Sequence, residues 1–185
     1  MHAFRDTRVL TEAALAIALA FVLGLIKLFE MPFGGSVSLE MVPLILLALR
    51  QGPIVGITAG AAYGLLNLLT GAYVVHPVQF VLDYPLAFAA SGLAGFFSPT
   101  VRGAVAGTLA AVLGRFVCHF VSGVVFFATN AYGGWSPAAY SAVYNASYLV
   151  PILLIALAVV VVLLRALEGA QPSPRQVRHR RSATL

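Results

Sequence analysis

Six apolar runs follow one another along the chain, separated by short polar, proline-rich or glycine-rich breaks. The first, Val9 to Leu28, comes after Arg5, Asp6 and Arg8 and is rich in alanine in its first half. About 20 largely apolar residues cross a bilayer core, so this run reads as a span. It is too long for the apolar region of a cleavable signal peptide. Residues 29–36, with Pro32, Gly34 and Gly35, read as a loop. The second run, 39–49, is short and holds Glu40 and Pro43, which predicts a helix that is tilted, kinked or extended by protein-buried loop. Arg50-Gln51-Gly52-Pro53 makes a tight turn into the third run, 54–69. A loop over 70–77 leads to the fourth, 78–97, with Asp83 near its start. After a turn at 98–103 comes the fifth, 104–128, and then the longest polar loop, 129–137. The sixth run is 144–167. None alternates with period two, as strands of a membrane barrel would. The prediction is an all-α, polytopic membrane protein of six transmembrane helices. Residues 1–8 precede the helical domain, 9–169 form it, and 170–185 form a basic tail expected to be disordered.

Composition sharpens this. Of 185 residues, 61% are hydrophobic and 9% charged, and mean hydropathy is +0.96. A soluble domain carries about 25% charged residues and has no means of hiding so much apolar surface. The single cysteine, Cys118, excludes a disulfide framework, a multi-cysteine metal site and dithiol redox chemistry. The net charge of +5 is distributed by topology. Arg5 and Arg8, Arg50, Arg102, Arg165 and the tail arginines Arg175, Arg178, Arg180 and Arg181 all fall on one side of a six-span arrangement. Lys27 alone falls near the other side. The positive-inside rule then places both termini in the cytoplasm. The basic tail has no interleaved aromatics, so nucleic acid is not an expected partner. No internal repeat is evident, which argues against an inverted-repeat carrier.

Ionisable groups inside a membrane cost several kcal/mol unless paired or hydrated, and so mark functional positions. Four stand out: Glu40, Asp83, Arg115 and His119. Arg115 and His119 are four apart and share one helix face. The stripe continues through Gly123 to Phe127. Beyond it lies an aromatic and amide-bearing run: Asn130, Tyr132, Trp135, Tyr140, Tyr144, Asn145 and Tyr148. If the last three spans converge, they frame a pocket with a carboxylate, an imidazole, an amide and aromatic faces. Such a pocket suits a small organic cation, since a ring face attracts a cation by roughly 0.5–2 kcal/mol. Plainer readings stand beside this one. Asp83 would simply pair with Arg115, Glu40 would be solvated at a membrane edge, and Tyr132, Trp135 and Tyr148 would be interfacial belt residues. His76 reads as a loop residue and Cys118 as a small buried apolar one. The pairs Ala14/Ala18 and Ala16/Ala20 have the small-xxx-small spacing that lets helices approach in lipid, either within the chain or against a partner.

Four stretches carry a resemblance. They are Leu10-Thr11-Glu12-Ala13-Ala14-Leu15 with Ala18, residues 43–52 (PLILLALRQG), Gln79-Phe80-Val81-Leu82-Asp83-Tyr84, and 115–123 (RFVCHFVSG) leading to 134–145 (GWSPAAYSAVYN). Together they resemble the substrate-binding S components of energy-coupling factor transporters, most closely the thiamine-specific ones, from about Arg8 to Arg165. The resemblance implies the six-helix S-component fold, a high-affinity vitamin site near the outer face, and assembly with a membrane coupling protein and two cytoplasmic ATPases. It assigns ligand binding to Asp83, Tyr84, His119, Phe127, Tyr140 and Asn145, and partner docking to Ala14 and Ala18. Asp83 stands where the family commonly has Glu, and Phe127 where it has a tryptophan. It further implies a multi-pass protein of a prokaryotic plasma membrane that takes up thiamine without being an enzyme. The loop between the first two helices would close as a lid, with Gly34-Gly35 as hinge.

Neither a cofactor nor a metal site is expected. The chain lacks the phosphate-binding G-x-x-x-x-G-K-[ST] pattern, so ATP hydrolysis would fall to partners. A second reading is an S component for another vitamin, such as riboflavin, or for a thiamine-related pyrimidine. A third is a small membrane enzyme using Ser122 or Ser141 with His119, although only six acids are present and no nucleophile elbow is visible. A fourth, an ion-coupled carrier, lacks a second buried carboxylate.

Overall fold

The computed structural model describes residues 6–170, and the basic tail from 171 onward lies outside the described residues. Helix α1 spans Thr7–Leu25, capped by Asp6, whose carboxylate accepts from the Arg8 amide at 2.9 Å. A small antiparallel ribbon follows, β1 (Phe29–Glu30) against β2 (Ser36–Val37), joined through a 3-10 turn at Pro32–Gly34. Gly34 takes φ +98° there, a left-handed conformation suited to glycine. The segment read as a plain loop is therefore a compact hairpin.

Helices α2 (Met41–Gln51) and α3 (Pro53–Leu66) meet at Gly52, whose φ of +89° makes the sharp reversal. Pro43 lies in the first turn of α2, where a missing amide proton costs nothing. The fourth helical stretch is irregular. α4 (Pro77–Val81) passes into a π-helical segment at Leu82–Leu86 containing Pro85, a short α5 (Ala87–Ala89) and a 3-10 segment at Ala90–Phe96. A π-bulge accommodates the proline's missing donor, and it falls at Asp83 and Tyr84. Helix α6 (Val101–Phe126) is capped by the Thr100 hydroxyl. Helix α7 (Pro137–Ala170) starts seven residues before the apolar run at 144. Six helical stretches thus build the described residues, as the hydrophobic pattern predicts.

Among the described residues, only α1, α6 and α7 are long and apolar enough to cross a membrane alone. Their surfaces are inverted relative to a soluble protein. On α6, Leu109, Leu113, Val117, Val121 and Val125 form an exposed apolar stripe, while Thr108, Arg115 and Ser122 are buried. An apolar exterior with charged residues inward is the arrangement of a helix bundle in lipid. Helix α3 approaches the fourth stretch without side chains between them. A Cβ at Gly60 would lie 2.2 Å from the Phe88 carbonyl, and one at Gly64 would lie 2.5 Å from that of Tyr84. Helix α1 sits at the edge, with only Val9, Ala13 and Ala20 buried. Ala14 and Ala18 face outward.

The basic end of the bundle is knitted by Glu12, which accepts from Gln51 at 2.7 Å and from Arg8 at 3.2 Å, with Arg50 at 3.7 Å. The opposite end carries the hairpin and the loops after α3 and α6.

Candidate functional site

A cavity opens at that opposite end, with about 1060 Å³ of empty volume including its mouth. Asp83, Tyr84, His119, Phe127, Tyr140 and Asn145 all line it. The three-span convergence assumed from sequence is therefore present.

Asp83 comes from the π-helical segment and is held by three donors. The His119 ring lies with Nδ1 2.9 Å from Oδ1, while Gln79 Nε2 and the Ser122 hydroxyl each donate to Oδ2 at 2.7 Å. His119 is fixed from its other side. Arg115 Nε donates to His119 Nε2 at 3.1 Å. A guanidinium only donates, so Nε2 must be the bare nitrogen and Nδ1 carries the proton toward Asp83. Arg115 then reaches Glu40 Oε1 at 3.2 Å, and Tyr63 donates to Glu40 Oε2 at 2.7 Å. The Arg115 guanidinium carbon lies 4.1 Å from the centre of the Phe88 ring. Gly24 of α1 closes this cluster, since any Cβ there would strike the Tyr63 hydroxyl at 2.5 Å.

Two plainer expectations are thereby corrected. Arg115 pairs with Glu40, and Asp83 is free of it. Glu40 is 5% exposed and fully engaged rather than solvated. Its sequence neighbours Ser36 and Ser38 suggest a wet edge, whereas its partner is 75 residues further on.

Helix α7 supplies the opposite wall through Tyr140, Ser141, Tyr144, Asn145 and Tyr148, all on one face. Asn145 is oriented by its neighbours: its amide nitrogen donates to the Ser141 carbonyl at 2.9 Å, and its oxygen accepts from Tyr148 at 2.7 Å. The rings of Tyr140 and Tyr144 stack at 5.9 Å, and Tyr148 meets Tyr144 edge-on at 5.9 Å. Tyr148, at 3% exposure, is thus a wall of the cavity and no belt residue. Trp135 and Tyr132 are exposed and do not line it. Phe127 caps the end of α6 and lies 6.0 Å from the Tyr73 ring. Tyr84 is tied to Tyr73, accepting from its amide at 2.8 Å.

The hairpin after α1 covers the mouth. The Tyr144 hydroxyl donates to the Pro32 carbonyl and accepts from the Gly35 amide at 3.2 Å. A Cβ at Gly35 would collide with the Tyr148 ring at 2.9 Å. Lys27 and Glu30 pair at 2.6 Å on the rim.

Gln79, Ser122, Tyr144 and Tyr148 join the cavity beyond the residues singled out for ligand binding, although the periodicity of α7 from Tyr140 contained the last two. His76 caps α4, accepting from Val78 at 3.1 Å, and stacks on Phe126. Cys118 is half-buried on α6 and away from the cavity. No group of three or more His, Cys, Asp or Glu side chains among the described residues is placed to hold a metal ion.

The fold and cavity define a class: a helical membrane protein with a deep pocket for a small organic ligand, a carboxylate held by neutral donors and several aromatic walls. The family described as "Thiamine transporter protein (Thia_YuaJ)" matches residues 10–171. The thiamine transporter ThiT of Bacillus subtilis is 39% identical over 158 residues, covering 77% of this chain and 82% of that protein. ThiT of Lacticaseibacillus paracasei is 30% identical over 162 residues, covering 78% and 81%. A solved structure of ThiT from Listeria monocytogenes superposes with a TM-score of 0.78 at 31% identity, covering 92% of this chain and 98% of that one. The chain belongs to the thiamine transporter family. The resemblance to thiamine-specific S components is borne out, and the family is one of transporters rather than enzymes.

Proposed function

We propose that this chain is the thiamine-binding S component of an energy-coupling factor importer in a bacterial cell membrane. The observation that carries this is Asp83, the one carboxylate lining the cavity that is not paired with a lysine or arginine, since Glu30 pairs with Lys27 and Glu40 with Arg115. Three donors fix it among aromatic rings at the end of the bundle opposite the basic residues. A carboxylate has about four acceptor positions. With three filled, Asp83 retains one position for a ligand. Thiamine offers both a fixed cation and an aminopyrimidine donor.

In this reading the basic end is cytoplasmic, both termini with it, and the cavity opens outward. The vitamin enters beneath the hairpin, with its rings against Phe127, Tyr140 and Tyr84. Asn145 and the Asp83–His119 pair read its polar edges. Tyr144 holds the hairpin down as a lid. Helix α1 carries the outward-facing Ala14 and Ala18, small enough for close helix contact in lipid. Through them the chain docks on a membrane coupling protein, and two ATPases on the cytoplasmic side supply the energy. The test is calorimetric titration of the detergent-purified chain with thiamine, its phosphate esters, the free pyrimidine and riboflavin. Saturable 1:1 binding preferring thiamine supports the reading. Preference for the pyrimidine or riboflavin keeps the transporter and replaces the substrate.

A further inference from the structure

Arg115 is not among the expected ligand contacts, yet it lines the cavity at 6% exposure and engages three partners. Glu40 neutralises its charge and Phe88 covers one of its faces. Its Nε is spent on His119 Nε2. A buried arginine donating into a histidine is an expensive arrangement unless the histidine's tautomer matters, because the same nitrogen would otherwise be free to bind a proton or turn to the ligand.

We propose that Arg115 is a positioning residue that locks His119 in its Nδ1–H tautomer, and so keeps a second proton off Nε2 that would set a cation against Asp83. This rests on the reading of Asp83 as the site's cation-binding group. The geometry gives the mechanism. A second proton on His119 has to sit on Nε2, where the Arg115 N–H already points from 3.1 Å. Two donors cannot share that approach. Without Arg115, His119 takes up a proton, becomes a cation against Asp83, and cancels the charge that a cationic ligand needs. The other groups around the ring do not substitute for Arg115. Tyr148 from α7 meets the ring edge-on at 6.1 Å, Tyr84 is tied to Tyr73, and Tyr63 and Glu40 are tied to each other. Glu40 instead favours a cation in this cluster, which would assist protonation of His119 once the guanidinium is gone. Lys27 on the rim is paired with Glu30.

The test has two readouts on the full chain. The first is thiamine affinity by calorimetry from pH 5.5 to 8.5 for the wild type, Arg115→Met and Arg115→Lys. The wild type is expected to be flat. Arg115→Met is expected to approach wild-type affinity at pH 8.5 and to weaken toward pH 5.5, by up to about tenfold per pH unit, the limit for one competing proton. Arg115→Lys, which keeps a donor, restores most of the flatness. An affinity loss in Arg115→Met that is equal at every pH would overturn the proposal and leave a packing role. The second readout is nitrogen NMR of histidine-labelled wild-type protein without ligand, with the His119 signal assigned through His119→Gln. An unprotonated Nε2 with a protonated Nδ1, unchanged down to pH 5.5, is expected; an Nε2–H tautomer or a titrating ring overturns the proposal. This measurement stands even if Arg115→Met does not fold. It also separates the two readings: no thiamine binding at any pH, with a locked tautomer, refutes the ligand assignment and not the lock.

Discussion

Replacing Asp83 by asparagine keeps the side chain's shape and removes its charge. The structure gives a scale for the consequence. His119 approaches one carboxylate oxygen, and Gln79 and Ser122 approach the other. An amide offers an acceptor at only one of these positions, so its NH2 must face a donor. Turned toward His119 it opposes an N–H that Arg115 holds in place; turned the other way it opposes Gln79 Nε2. One charge-assisted hydrogen bond of about 1.5–3 kcal/mol is lost whichever way it turns, and this falls on folding stability. The binding loss is electrostatic. A ligand cation roughly 5 Å from the carboxylate at an effective dielectric of about 20 gains about 3 kcal/mol. Allowing for differences in desolvation, Asp83→Asn should weaken thiamine binding by about 2–4 kcal/mol, or about 30- to 1,000-fold. The assay is calorimetric titration of both proteins, repeated with an analogue whose thiazolium is replaced by a neutral ring. The analogue should bind the two proteins within a few-fold of each other. If Asp83→Asn binds thiamine within about threefold of wild type, the carboxylate is not the cation-binding group and the electrostatic argument fails.

Other perturbations test separate links. Tyr144→Phe removes only the hydroxyl that bridges Pro32 and Gly35. At about 0.5–1.5 kcal/mol for each of these two hydrogen bonds, thiamine should leave roughly 5- to 150-fold faster in stopped-flow displacement, and an unchanged off-rate would mean the hairpin is not a lid. Gly64→Ala forces a methyl group into the Tyr84 backbone. Thermal unfolding in detergent should show a loss of about 1–3 kcal/mol together with weaker binding, because the displaced segment carries Asp83; full retention of both would contradict the packing described. Ala14→Trp, on the outward face of α1, should abolish uptake in cells while leaving the purified chain's affinity unchanged. Loss of affinity as well would show that α1 does more than dock.

The number and order of the helices were legible because apolar runs and their breaks depend on local composition. What escaped local reading depends on distant partners. The fourth stretch looks like one ordinary span, but Pro85 and the glycine-lined approach of α3 turn it into α, π and 3-10 segments. Helix α7 starts at Pro137 rather than 144, and Tyr140 and Ser141 in its added turns are polar because they line the cavity, not because they belong to a loop. Asp83 and His119 were recognisable as costly residues, and i,i+4 spacing put Arg115 beside His119. Which acid each cation chose was not recoverable from spacing. Glu40 has no local signal, and only the packing of α2 beside α6 assigns it to Arg115. The break after the first helix was legible from its glycines, but its contact with Tyr144 was not, since that contact spans 109 residues.

The central claim is that this cavity binds thiamine, and the most direct measurement is a label-free titration of the purified wild-type chain. Trp135 lies outside the cavity, so heat or thermal stabilisation is a better signal than its fluorescence. The account predicts saturable binding of one thiamine per chain, with stabilisation that grows with ligand concentration. A chain that is folded by its thermal transition and yet gives neither heat nor stabilisation with thiamine would contradict it.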